Sequence, residues 1–126
     1  MVDEQDVRRI ALSLPETSED PDRPRFLVLD KAFAWCYHER IDGEPARVPR
    51  SDVFAVRVAG LAEKETLLAA DPGKFFSEPH YNGYPAVLLR LPQIGVDELG
   101  ELVVEAWRCR APAGLVAQFD GESGVE

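Results

Sequence analysis

Cationic residues are in short supply in this chain. It carries 14 Lys and Arg against 23 Asp and Glu, a formal net charge of −9 at pH 7. Affinity for duplex nucleic acid comes largely from Lys and Arg on phosphates, so this balance excludes strong generic binding to it. Cysteine is scarcer still. Cys36 and Cys109 are the only two in 126 residues, too few for a disulfide-built secreted scaffold, and they read as reduced thiols in a cytoplasm. No apolar run approaches the ~18 residues of a membrane-spanning helix, so no membrane contact is expected. The start, Met1-Val2-Asp3-Glu4-Gln5-Asp6, is acidic and polar, whereas an export signal needs a basic start and then an apolar stretch. A cytoplasmic location is therefore expected.

Catalytic signatures are missing as well. There is no Gly-x-Gly-x-x-Gly or Walker-type loop and no nucleophile elbow. Ser13, Ser18, Ser51, Ser77 and Ser123 fall at expected helix ends, in loops or in the tail, with no adjacent base to activate them. Cys36, His38, His80 and Cys109 show neither Cys-x-x-Cys nor His-Glu-x-x-His spacing, so no metal site is expected. The reading is a non-enzymatic binding domain with no cofactor.

What is present fits one folded domain. The apolar share is 45% and the charged share 29%, ordinary for a globular chain. The acidity sits at the ends. Residues 1–22 hold seven acids and two bases, residues 95–126 hold seven and two, and residues 23–94 hold nine acids and ten bases.

The spacing of Val7, Ile10, Ala11 and Leu14 predicts a helix over residues 3–14, which Pro15 stops. Residues 15–24 read as a loop. Residues 25–39 read as a β-hairpin turning at Asp30-Lys31. In its second strand, alternation puts Phe33, Trp35 and Tyr37 on one face and Ala34, Cys36 and His38 on the other. Residues 40–51, with Gly43, Pro45 and Pro49, read as a long exposed loop. Residues 52–59 form a third strand, rich in β-branched residues, and residues 61–70 a second helix. Phe75-Phe76 begins an extended segment, Asn82-Gly83 signals a turn, and residues 86–91 form a further strand. Leu99, Leu102, Val103, Ala106 and Trp107 make one apolar stripe on a helix over 96–109. Pro112 opens a last helix through Phe119, and residues 120–126 read as a disordered tail. A strand meander with helices before and after predicts an α+β fold, an antiparallel sheet packed on one face by helices.

Five stretches together resemble the MmcQ/YjbR-like family of small bacterial proteins. They are Val7 to Pro15, ending Leu-Ser-Leu-Pro-Glu; Lys31-Ala32-Phe33-Ala34; Leu68 to Phe76, with Asp71-Pro72-Gly73-Lys74-Phe75-Phe76; Pro79-His80-Tyr81-Asn82-Gly83-Tyr84-Pro85 running on to Leu91; and Ala106-Trp107-Arg108 through Ala117. The resemblance spans residues 7–119, and the domain is taken as 1–119. It implies a CyaY-like or double-wing arrangement and a DNA-binding role that rests on fold analogy. The chain departs from that picture in its negative charge and its proline-rich 40–51 loop.

Two candidate surfaces follow. Arg40, Arg47, Arg50 and Arg57, extended by Lys74 and Arg90, could form a phosphate-gripping face for DNA. Against this, Glu39, Asp42, Glu44 and Asp52 interleave with the arginines and would pair with them. Alternatively His80, Tyr81, Asn82 and Tyr84 could line a pocket for a small ligand or a protein partner. The duller account has those tyrosines pinning a hairpin against the last helices, each hydroxyl finding a partner. A weak acidic protein partner acting through the end helices is a third option. Trp35 and Trp107 both read as core.

Overall fold

Helix α1 (Glu4–Leu12) starts where two carboxylates satisfy its free N–H groups. Asp3 accepts from the backbone N–H of Gln5 and Asp6, and Asp6 accepts from the N–H of Asp3. Such a reciprocal cap closes donors that otherwise lack partners. The structure is a computed structural model and describes residues 2–22, 25–39 and 42–124. After α1 come β1 (Thr17–Glu19), β2 (Arg25–Val28), β3 (Lys31–Glu39), β4 (Val48–Arg57), α2 (Leu61–Ala70), β5 (Phe75–Phe76), β6 (Ala86–Arg90), α3 (Val96–Arg110) and α4 (Ala113–Gly124). Short 3-10 turns occupy Pro79–Tyr81 and Leu91–Gln93.

The six strands make one sheet in the order β1-β2-β3-β4-β6-β5, antiparallel throughout. The helices pack on one face, so the fold is α+β. Leu99, Val103, Ala106 and Trp107 of α3 are fully buried against Phe26, Phe33, Phe54, Val56, Val87 and Leu89 of the sheet. Trp107 donates its indole N–H to the Pro15 carbonyl at 3.0 Å, and Phe119 of α4 lies 4.9 Å from its ring. The apolar stripe read from the sequence is thus the centre of the main core. No helix among the described residues is long and apolar enough to cross a membrane.

Five local expectations change. The 15–24 loop contains β1, whose polar Thr-Ser-Glu sequence gives no strand signal. Tertiary contacts hold it: Arg8 of α1 donates to both oxygens of Glu19 at 2.8 Å, and the strand pairs with β2. The hairpin turns at Leu29-Asp30, not Asp30-Lys31. Both turn residues have positive φ, 45° and 72°, and Lys31 pairs with Val28. A bulge across from Phe26/Leu27 then shifts the phase of β3. Phe33 joins Ala34 and Cys36 in the core, and only Trp35 and Tyr37 remain on the opposite face. An extra residue in one strand reverses the alternation beyond it.

The expected 40–51 loop is shorter than read, because Val48–Arg50 pair with Tyr37, His38 and Glu39. Pro49 is tolerated there because β6 pairs β4 only from Val53 onward, leaving this stretch at an edge. Finally, α4 runs past Phe119 to Gly124, so helix occupies part of the expected tail. The Asp120 carboxylate anchors the added turn to α3 by accepting from Arg108 at 2.6 Å.

Candidate functional site

The sheet face away from the helices carries a second, smaller cluster. Tyr37, Val53, Ala55, Ala86 and Leu88 project there, with Trp35 and Phe76 packed against them. The chain between β5 and β6 folds over this face and brings in Tyr81, which is 9% exposed. Asn82 and Gly83 make the turn that allows it. Asn82 has φ −64° and ψ 133°, and Gly83 follows at φ 77°. These are the angles of a type II turn, which needs a residue free to take positive φ at its third position.

Helix α2 braces this turn from behind. Lys64 is 5% exposed, and its ammonium donates to the carbonyls of Tyr81 at 2.6 Å and Tyr84 at 3.0 Å. Burial pushes its pKa below the usual lysine range. No sequence pattern marked Lys64, since a lysine on an otherwise unremarkable helix reads as solvent-facing.

The rings on this face form a continuous row. Tyr84 lies 6.4 Å from both Trp35 and Tyr81, Tyr81 lies 6.1 Å from Tyr37, and Tyr37 lies 6.4 Å from Phe76. A guanidinium stacks at each end: Arg57 over Tyr84 at 5.2 Å and Arg90 over Phe76 at 4.0 Å. Such contacts contribute about 0.5–1 kcal/mol each at exposed sites.

At the Tyr84 end lies a cavity of about 410 Å³. Trp35, Tyr81 and Tyr84 supply its rings, Arg25, His38, Arg47 and His80 its polar groups, and Ala32 and Cys36 the rest of its lining. The Trp35 indole N–H donates to the Tyr81 hydroxyl oxygen at 2.9 Å. Burial raises the Tyr81 pKa above the ordinary tyrosine value, though the Trp35 bond opposes it. Burial also pushes the Cys36 thiol up to about 11, so it is a neutral group in the wall near pH 7.

The predicted residues thus separate. Of the pocket set, His80, Tyr81 and Tyr84 line the cavity, while Asn82 is exposed and serves the turn. Of the basic set, Arg47 lines the same cavity and donates to the His38 carbonyl at 3.0 Å. Arg50 is taken up by carboxylates, Glu39 at 2.7 Å and Asp52 through two bonds of 3.0 Å. Lys74 lies on the helix side, bonded to Glu98 at 2.8 Å. Arg57 and Arg90 are on the open face, at opposite ends of the ring row. Arg40 lies outside the described residues. The five described ones do not form one cationic stripe. Trp35, His38 and Arg25 were not among the candidates; the bulge at Phe33 hid the first, and the others join only through sheet pairing. Among the described residues no three or more His, Cys, Asp or Glu side chains gather as a metal site would require.

A family profile described as YjbR matches residues 12–109. Three mycobacterial relatives are each 39% identical over 125 residues, covering 94% of this chain and 96% of their own length. They are Uncharacterized protein Mb2600 of Mycobacterium bovis, and Uncharacterized protein MT2646 and Uncharacterized protein Rv2570 of two Mycobacterium tuberculosis strains. No solved structure matches the chain with significance.

Proposed function

The chain belongs to the YjbR family, and from that premise we propose that it is a non-enzymatic binding domain that takes a small ligand in the cavity on its open sheet face. One observation carries this reading. Residues far apart in sequence, Trp35 and His38 from β3, Arg47 from the β3–β4 connection and His80 to Tyr84 from the β5–β6 connection, converge on one concavity. Its volume is that of small-ligand sites, roughly 300–1,000 Å³. The tyrosine-pinning account would seat Tyr81 against the last helices, but Tyr81 packs with Tyr37 in the cluster on the opposite sheet face. It does not explain Tyr84, which is 42% exposed, or Arg47, which is exposed on the cavity rim.

A second reading has a specific observation behind it. The ring row flanked by Arg57 and Arg90 suits unpaired bases, which stack on aromatic side chains while cations follow the backbone. Duplex DNA is less well served, because Arg50 and Lys74 already have carboxylate partners.

Thermal unfolding in the presence of a broad metabolite set, alongside duplex and single-stranded oligonucleotides at low salt, separates these readings. The pocket reading expects the melting temperature to rise with at least one metabolite and to lose that response in Tyr84→Ala. A melting temperature unmoved by every metabolite removes it. Binding confined to single strands, weakened by Arg57→Ala and Arg90→Ala and by added salt, would replace it with the second reading.

A further inference from the structure

The lining of the cavity has a charge character that the rest of the molecule does not share. The chain has 23 Asp and Glu, yet the cavity is lined by two arginines, two histidines and no carboxylate. Two other hollows show the contrast. The one at the far end of the ring row holds Glu39 and Asp52 beside Arg50 and Arg90, so its charges cancel internally. The groove between α2 and α3 is rimmed by Asp71, Glu98, Glu101 and Glu105 with Lys74 the one base.

Within the cavity the donors are not all spent. Arg25 is held by Asp20 at 2.7 Å. Arg47 makes one bond, to the His38 carbonyl, and no ion pair with the described residues. A guanidinium has five N–H donors in a planar fork, so a fork suited to a carboxylate or phosphate stays available. Tyr81 accepts the Trp35 N–H at its oxygen, which leaves its own hydroxyl hydrogen to donate. Two rings share the cavity with these donors. Trp35 and Tyr84 lie 6.4 Å apart at 58° to each other, both partly open to solvent. Arg57 fixes the Tyr84 ring from outside, stacking on it and donating to its hydroxyl at 3.1 Å.

We infer that the cavity selects a ligand joining a planar ring to an anionic group, with the anion on Arg47 and the Tyr81 hydroxyl and the ring against Trp35 and Tyr84. This rests on the pocket reading above and adds the chemical class. A free nucleotide or aromatic acid carries this chemistry, and so does the end of a nucleic-acid strand. The bidentate fork supplies charge recognition, and stacking supplies contact without demanding one ring type.

The test is a titration of the full chain, followed by calorimetry, with adenosine 5′-monophosphate, indole-3-carboxylate and pyridine-2-carboxylate. Their neutral counterparts (adenosine, indole, pyridine), ribose 5-phosphate and a short single-stranded oligonucleotide complete the set. At least one ring-bearing anion is expected to bind ten-fold or more tightly than its neutral counterpart. Arg47→Met is expected to erase that preference at an unchanged melting temperature, since Arg47 is exposed and outside both cores. Free nucleotide as the source predicts that the mononucleotide matches or exceeds the oligonucleotide per site; the reverse assigns the site to a strand end. Neutral rings binding as well as the anions, or ribose 5-phosphate binding as well as the mononucleotide, overturns the class while leaving the pocket. No binding by any ring-bearing anion, with other metabolites still raising the melting temperature, also overturns the class alone. A molecule that no metabolite stabilises loses the pocket as well.

Discussion

Trp107 and Trp35 lie on opposite sides of the same sheet. Trp107 is wholly enclosed by α3, α4 and the strands, and its N–H meets a backbone carbonyl. Trp35 is half-buried, and its N–H meets a side-chain hydroxyl on the segment that folds over the open face. The helix-covered face is a closed core of mostly apolar side chains. The open face is a thin layer of rings, each with one edge toward water or toward a polar atom. On the second, a ligand adds contacts without displacing existing ones. The same division sorts the charge. Acids crowd the outer surfaces of α1 and α3, while Arg47, Arg57 and Arg90 sit with the rings.

The sharpest way to break this comparison is to truncate both indoles. Trp107→Ala opens a large cavity in the core and should cost about 3–5 kcal/mol in equilibrium denaturant unfolding. Trp35→Ala removes a partly exposed ring with fewer neighbours and should cost clearly less, about 1–3 kcal/mol. Equal costs would mean that the open face is a second core in its own right, with no surface to spare for a ligand.

Lys64 tests the link between the two sides. Lys64→Met keeps most of the volume and removes one of two donors at each carbonyl, since Tyr81 keeps the Tyr84 N–H and Tyr84 keeps the Ala86 N–H. A hydrogen bond from a charged donor contributes about 1.5–3 kcal/mol, offset in part because the buried ammonium's own desolvation disappears. A net loss near 1–2 kcal/mol is expected, with faster amide exchange confined to residues 79–86. Exchange that accelerates across the whole sheet would show that the turn is part of the main folding unit.

Alkaline pH sharpens the contrast by a smaller step. Tyr37 and Tyr81 on the open face have pKa values raised by burial above the usual 10, and Cys36 on the other is raised from 9.0 to about 11. The unfolded chain therefore gives up these protons first. The stabilisation is complete below the unfolded values and is lost as pH climbs through the folded ones. Melting temperatures should hold to about pH 9 and fall between 9 and 11. Cys36→Ala should remove part of that fall and leave the tyrosine part. An unchanged pH profile in that variant would place the effect on Tyr37, Tyr81 and Cys109, whose thiol burial also raises.

The helix stripe of α3, the existence of α1 and the existence of most strands were legible because each is a local pattern: a period, a proline stop, a run of β-branched residues. The turn at Asn82-Gly83 was legible for the same reason. The site was half legible. His80, Tyr81 and Tyr84 are neighbours in sequence, so their clustering shows, but Arg47 joins them only because β3 and β4 pair. Trp35 was hidden by one bulged residue, which moved Phe33 to the other face. Strand β1 has no apolar pattern at all and exists through Arg8, Glu19 and the β2 ladder. What local rules cannot carry is partnership across the sheet, and the cavity is built from little else.

The hairpin that reset the phase of β3 offers the mildest test. Leu29 sits at φ 45° and is 49% exposed, so its side chain brings little burial while its backbone occupies a region that non-glycine residues reach at a cost of about 1 kcal/mol or more. Leu29→Gly removes that strain, and the greater freedom of glycine in the unfolded chain returns part of it. A net gain near 0.5 kcal/mol is expected, at the edge of what denaturant midpoints resolve. Leu29→Val should lose stability instead, because a β-branched residue tolerates positive φ least. If glycine and valine moved the midpoint in the same direction, the turn would have to lie at Asp30-Lys31 after all. Trp35 would then return to the face of Phe33, and the ring row would lose its first member.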